Sequence, residues 1–175
     1  MDFQKTEQVL TKYAKYVVQQ SRSNLTKGRN KSSGKLYQSI TYDLDVEKDA
    51  FLLEFLMEDY GAFQDKGVKG IKSTYSQSNN SPFRFGRGTG KSGGLTQGIG
   101  KWLRQKRFQW KDKKGRFMSY KSMQYIIVNS IYRKGLKATM FFTKPFDKGL
   151  QRMANNLVDA FVLDIENNIV FGETK

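Results

Sequence analysis

From Phe146 to Ile165 the chain repeats one pattern: Phe146, Leu150, Met153, Leu157, Phe161 and Ile165 stand three or four positions apart. That spacing puts all six on one side of an α-helix for about five turns. An amphipathic helix is stabilised mainly by a second layer that covers its apolar side, so the rest of the chain has to supply one. Pro145, just ahead of the run, has the fixed φ that suits a helix's first turn.

Two stretches qualify as cover. Phe3, Leu10, Tyr13, Ala14 and Val17 fall near helical spacing, with Lys5, Lys12, Lys15 and Gln19 between them, which predicts an amphipathic helix over residues 3–22. After the polar stretch 26–35 the period changes to two. Leu36, Ile40, Tyr42, Leu44 and Val46 alternate with Tyr37, Ser39, Thr41, Asp43, Asp45 and Glu47, and only Gln38 breaks the apolar row. That is a strand with one wet face. "EKDA" turns the chain, and Phe51, Leu53, Phe55 and Met57 return on one face as the second arm of a β-hairpin. The expectation is a single α+β domain over residues 1–175: a small antiparallel sheet packed against N-terminal and C-terminal amphipathic helices, with a long central loop. Thirteen Phe, nine Tyr and two Trp predict an aromatic core with rings left over for interfaces.

The central loop is residues 67–95. It has no periodic apolar pattern and holds seven of the sixteen glycines, and a structureless stretch of that length in a compact domain is commonly functional. Beyond it, "LTQGIGKWLRQKRF" (95–108) reads as a short helix and "KDKKGR" (111–116) as a turn. Ser119 opens a helical face of Met123, Ile126, Ile127, Ser130 and Ile131 that stops near Gly135, and residues 136–144 are β-prone.

The chain has no Cys and no His. Disulfides, thiolate or imidazole metal sites, and the usual acid/base residue near neutral pH are therefore all excluded. "FGRGTGKSGG" (85–94) resembles a phosphate loop, but three residues rather than four separate Gly86 from Gly90 and no strand precedes it; a flexible glycine loop accounts for it. Asp43, Asp45 and Glu47 carry hard-cation donors, yet the polar face of an alternating strand explains them without a metal. Asp59 and Asp65 are a thinner case for a nuclease, lacking a third carboxylate at a telling spacing. No cofactor is expected. "MDFQKTEQVL" has no apolar core of a secretory signal, and no run approaches the length that spans a membrane. The chain is expected to be made in the cytoplasm.

Charge is the other strong signal, at +15. From Arg84 to Arg116 stand Arg84, Arg87, Lys91, Lys101, Arg104, Lys106, Arg107, Lys111, Lys113, Lys114 and Arg116, opposed only by Asp112. Phe83, Phe85, Trp102, Phe108, Trp110 and Phe117 are interleaved. Cations beside stacking rings suit a nucleic-acid surface, and Trp and Arg equally anchor protein interfaces.

In order, the elements resemble the tail-completion or neck proteins of tailed bacteriophages, which join head to tail. In that family a Gly-x-Leu-x-x-Ser-Ile stretch opens the first strand, matched here by Gly34, Leu36, Ser39 and Ile40. A Tyr-x-x-Phe-x-x-x-Gly stretch after the sheet is matched by Tyr60, Phe63 and Gly67. An Ala-x-x-Phe…Pro-Phe stretch leading into the last helix is matched by Ala138, Phe141, Phe142, Pro145 and Phe146, after Gly135. Where the family continues with an acidic residue and a short Gly-Thr stretch, this chain has "DKGVKG" and a longer basic insertion.

The resemblance implies a non-enzymatic virion protein. It would form a homo-oligomeric ring in the neck, touch the portal-side connector and tail proteins, and lie near packaged DNA. It implies that loop 67–95 is an assembly arm, mobile in the free subunit, with Tyr60, Phe63, Lys66, Lys69, Phe83, Arg84, Phe85, Arg87 and Lys91 at interfaces. Lys101, Arg104, Lys106, Arg107, Lys111, Lys113, Lys114 and Arg116 would meet DNA or an acidic partner. Non-specific nucleic-acid binding through segment 84–117 is the alternative.

Overall fold

Helices at both ends of the chain and two short antiparallel sheets make an α+β architecture. A computed structural model describes residues 3–27, 34–47, 50–86 and 94–172, with side chains as far as Ile169. The elements run α1 (Gln4–Lys27), α2 (Lys35–Ser39), β1 (Thr41–Val46), β2 (Phe51–Leu56), α3 (Tyr60–Lys66), β3 (Val68–Lys69), a 3₁₀ turn (Ser76–Ser78), α4 (Gly94–Lys106), α5 (Tyr120–Lys134), β4 (Gly135–Leu136) and α6 (Thr143–Gly172). They fall into two compact units, one of Met1–Gly61 with Met140–Lys175 and one of Ala62–Thr139.

In the first unit α1 and α6 lie antiparallel, because Thr6 meets Asp164 at one end and Asn24 meets the Phe141 carbonyl at the other. The hairpin packs on them, with Tyr42 opposite Phe55, Leu44 opposite Leu53 and Val46 opposite Phe51. Phe55 holds the layers together: its ring is 6.0 Å from Tyr13, 5.9 Å from Phe146 and 5.4 Å from Phe142. Such edge-on aromatic pairs add about 0.5–1.5 kcal/mol each beyond the area they bury. Leu25, Leu36, Ile40 and Phe141 form the buried cluster at the end of the sheet.

Two expectations change here. Residues 36–39 lie in helix α2, not in a strand, with Ile40 as its C-cap, so β1 starts at Thr41. An interval of four fits a strand and a helical turn alike, and Leu36 and Ile40 are buried either way. Local bonds decide for the helix. Gly34 caps it with φ +82°, Arg22 donates to the Ile40 carbonyl at 2.7 Å, and the Ser39 hydroxyl accepts from the Glu58 amide. Gln38, which broke the alternation, sits on the exposed side. Along α6 the covered line is Pro145, Gly149, Ala160 and Asp164, while Leu150 and Phe161 of the apolar stripe are each 42% exposed. Small residues let α1 come close, so the larger ones flank the contact.

In the second unit α4 packs on α5 through the fully buried Leu103 and Met123. Ser119 caps α5, accepting from the Ser122 amide, and Gly135 ends it with φ +86°, as the sequence predicts. β3 pairs with β4 at that point. A Cβ on Gly135 would strike the Val68 carbonyl and the Gly70 amide, so only glycine fits.

Candidate functional site

The central loop departs most from expectation. Residues 67–86 do not form an extended arm but are stapled to the second unit. The buried Ser78 hydroxyl donates to the Leu136 carbonyl at 2.7 Å and accepts from the Ala138 amide at 2.9 Å. The Ser81 hydroxyl donates to the Gly67 carbonyl at 2.7 Å. Lys69 exchanges backbone bonds with Phe83 and Phe85, and the Ile71, Lys72 and Ser73 amides donate to the Tyr132 and Arg133 carbonyls. Buried hydroxyls do here what an apolar periodicity would otherwise do, which is why the pattern looked structureless. Arg87 and Lys91 lie outside the described residues.

The interface residues expected in this stretch separate into two kinds. Phe83 is half-buried against Phe63, ring centres 4.5 Å apart, and Phe85 lies 5.6 Å from the Tyr132 ring. Both rings therefore act as packing. Tyr60, Phe63, Lys66 and Arg84 are exposed, and Lys69 is partly covered in β3. The Tyr60 hydroxyl has its pKa raised by burial of the group and by Glu58, against a bond to the Leu36 backbone that lowers it.

The second basic group comes together on one structure. α4 carries Lys101, Arg104 and Lys106 exposed along its length and ends at Arg107, whose φ of +49° turns the chain out of the helix. Residues 108–118 then form a small β-loop in which Lys111 bridges Phe117 and the Met118 amide donates to the Trp110 carbonyl at 2.8 Å. Asp112 holds the tip. Its carboxylate accepts from the Lys114 and Arg116 amides and pairs with the Arg116 guanidinium at 3.0 Å. The Arg116 amide bond, with its side chain and the Lys114 amide, keeps this carboxyl below the usual range despite some desolvation.

The segment's one acid is thus committed to shaping the loop. Lys113, Lys114 and Arg107 are left exposed, and Lys111 stands 5.1 Å over the Phe117 ring. Phe117 is 66% exposed, and Phe108 and Trp110 are also exposed. Sequence reasoning found these residues and named Asp112 only as the opposing charge, missing its part in shaping the loop; "DKKG" at a turn was the available signal.

A contrasting surface lies in the first unit. The outward side of the hairpin sets Thr41 opposite Leu56, Asp43 opposite Glu54 and Asp45 opposite Leu52. All six are exposed, Leu52 at 54% and Leu56 at 49%. The sequence marked Asp43 and Asp45 as a solvated row; it did not mark the paired carboxylate or the two leucines. Among the described residues no three His, Cys, Asp or Glu side chains gather as a metal site. The cleft between α1 and α6, about 340 Å³, is walled by Lys12, Arg152, Tyr13, Tyr16 and Met153. Burial, then the Asp147 charge, pushes the Tyr13 hydroxyl up to about 12, so it stays protonated and donates to the Phe146 carbonyl.

Charge divides along the same boundary. The Ala62–Thr139 unit has eighteen basic residues and two acidic ones, and the other unit thirteen against fourteen, so the +15 resides in one of the two. No described helix is long and apolar enough to cross a membrane. No family model, curated protein or solved structure matches the chain.

Proposed function

We propose that this is a non-enzymatic structural protein of a tailed-phage virion, forming a homo-oligomeric ring in the neck between the portal-side connector and the tail. The observation that carries the reading is where the three family-like stretches fall. Leu36 and Ile40 of the first and Phe141 of the third are the buried cluster of one unit, with Phe142 packed against it. Gly67 of the second and Gly135 and Ala138 of the third meet around Ser78 and β4 in the other unit. Several of the residues picked out for their order along the chain thus lie in the packed parts of the two units, which supports the reading.

Exposed apolar groups support an assembling protein. Val158, Phe161, Val162, Leu163 and Ile169 of α6 stay at the surface in the single chain, and such patches mark interaction surfaces. Ring subunits make head-to-tail contacts that close by rotation. The activity is therefore shape and charge complementarity, with no cofactor. Electron microscopy tests it. Closed rings of the purified protein and labelling at the head–tail junction of virions are expected; labelling confined to capsid or tail tip would overturn the assignment.

A second reading has one observation in its favour, the eighteen-to-two charge ratio of the 62–139 unit beside exposed Trp110 and Phe117. It is non-specific nucleic-acid binding through segment 84–117. Duplex titrations at two salt concentrations separate the two. Neutralising several phosphates makes affinity fall by about 10³-fold or more between 50 and 200 mM salt, whereas a protein-facing loop gives weak binding throughout.

A further inference from the structure

The two units carry complementary surfaces, and we infer that the acidic outer face of the β1–β2 hairpin in one copy receives the basic loop 107–118 of a neighbouring copy. The inference rests on the assembly reading and names the contact that would build it. The hairpin face offers Asp43 and Glu54 at its middle, with Asp45 and Leu52 on one side and Leu56 on the other, all exposed. The loop offers Arg107, Lys111, Lys113 and Lys114 around Phe108, Trp110 and Phe117. Each surface mixes exposed apolar groups with charges, and the charges of the two have opposite sign.

Two further features favour a second copy as the occupant. The register places Asp43 directly across from Glu54. Like charges directly opposite one another destabilise an isolated hairpin, so the pairing is unfavourable for a hairpin left in water and favourable under a cationic cover. In the loop the one carboxylate is turned onto its own backbone by the Lys114 and Arg116 amides, which fixes the loop's shape before any partner arrives and leaves its lysines outward. A preformed loop loses less entropy on docking.

Since one chain carries both surfaces, contacts propagate from copy to copy until they close, as a ring or as a pair making both at once. The apolar groups distinguish this from a purely electrostatic encounter: the charges set association rate and register, and Trp110 and Phe117 against Leu52 and Leu56 supply the persistent part.

Charge reversal on each surface tests it, with oligomeric mass read by sedimentation velocity. One variant carries Asp43→Lys, Asp45→Lys and Glu54→Lys. The other carries Lys111→Glu, Lys113→Glu and Lys114→Glu. A third combines both sets. All six positions are exposed, and circular dichroism confirms that each variant folds. Each single-surface variant is expected to weaken self-association about tenfold or more, since reversal sets like charges against one another. The combined variant, and an equimolar mixture of the two single-surface variants, are expected to reassemble.

If the wild type assembles and neither reversal disturbs it, this pairing is wrong and the ring stands on other contacts. If both reversals weaken assembly but neither the combination nor the mixture restores it, the surfaces do not face one another and the inference falls. A wild type that stays monomeric overturns both the pairing and the ring. Loss of duplex DNA binding with unchanged assembly in the Lys→Glu variant assigns the loop to nucleic acid instead.

Discussion

Asp164 shows how one side chain can hold a fold that its neighbours in sequence do not announce. It is 3% exposed on α6, and it accepts from the Lys5 amide at 3.1 Å and from the Thr6 amide and hydroxyl at 2.8 Å each. Those amides are unpaired donors of the first turn of α1, so a carboxylate 158 residues away caps that helix and meets its positive end. Burial alone would raise the pKa; the bonds from Thr6 and Lys5, with the Lys5 charge, outweigh it and hold the carboxyl below its ordinary value. A depressed folded-state pKa contributes stability that is present above the unfolded value and lost as pH falls through the folded one.

Asp164→Asn is therefore expected to lower stability at neutral pH by about 2 kcal/mol, the scale of a charged hydrogen bond plus a dipole contact. It is also expected to flatten the acid limb of the stability curve, and urea denaturation across pH reads both. Ser78 is the counterpart in the other unit. Ser78→Ala orphans the Leu136 carbonyl and the Ala138 amide, so a loss of about 1–3 kcal/mol is expected, with faster hydrogen exchange at Ala138. Neither residue was legible in sequence. Asp164 sits one place from Ile165 of the apolar stripe and looked like ordinary helix polarity, and Ser78 looked like loop.

At the scale of elements, periodicity placed α1, the hairpin, α5 and α6, because each repeats its signal over several turns or alternations, while 95–108 read as a short helix without such a repeat. It failed where the signal was short. Leu36 and Ile40 are one repeat, which two secondary structures satisfy, and Arg22 and Gly34 settle the choice from outside the pattern. Residues 67–86 carry no repeat, and their order comes from hydroxyl staples and from a strand of two residues. The Tyr60 stretch does follow the sheet, and it is the short helix Tyr60–Lys66, with Gly61 where a Cβ would crowd Met57 and Leu36.

Two glycines test these contacts. Gly149 is covered in α6, and a Cβ there would stand 2.7 Å from the Tyr13 ring. Exposed helical Gly→Ala normally gains about 1 kcal/mol; Gly149→Ala is expected to reverse that sign, seen as a lower Tm, because Tyr13 is buried and packed on Phe55. Gly135→Ala is expected to cost more than about 1 kcal/mol, since its φ of +86° adds strain to the clash with Val68.

The whole molecule is organised by its charge. Composition gave +15 without saying where it sits, and the division into a near-neutral unit and a strongly basic one emerged only once the chain was folded. The candidate basic residues were legible because they are contiguous in sequence. The acidic hairpin face was only half legible, because Asp43 and Glu54 come together through register. A contact between such surfaces weakens with salt, as the Debye length falls from about 10 Å at 0.1 M to about 3 Å at 1 M. The leucines and aromatic rings keep it from vanishing at moderate ionic strength. The most direct measurement is native mass spectrometry of the purified chain over a concentration series at low salt. One closed multiple of the 20.2 kDa subunit, present from low concentration upward and dissociating as salt rises, is expected; a monomer at every concentration and salt would contradict the ring.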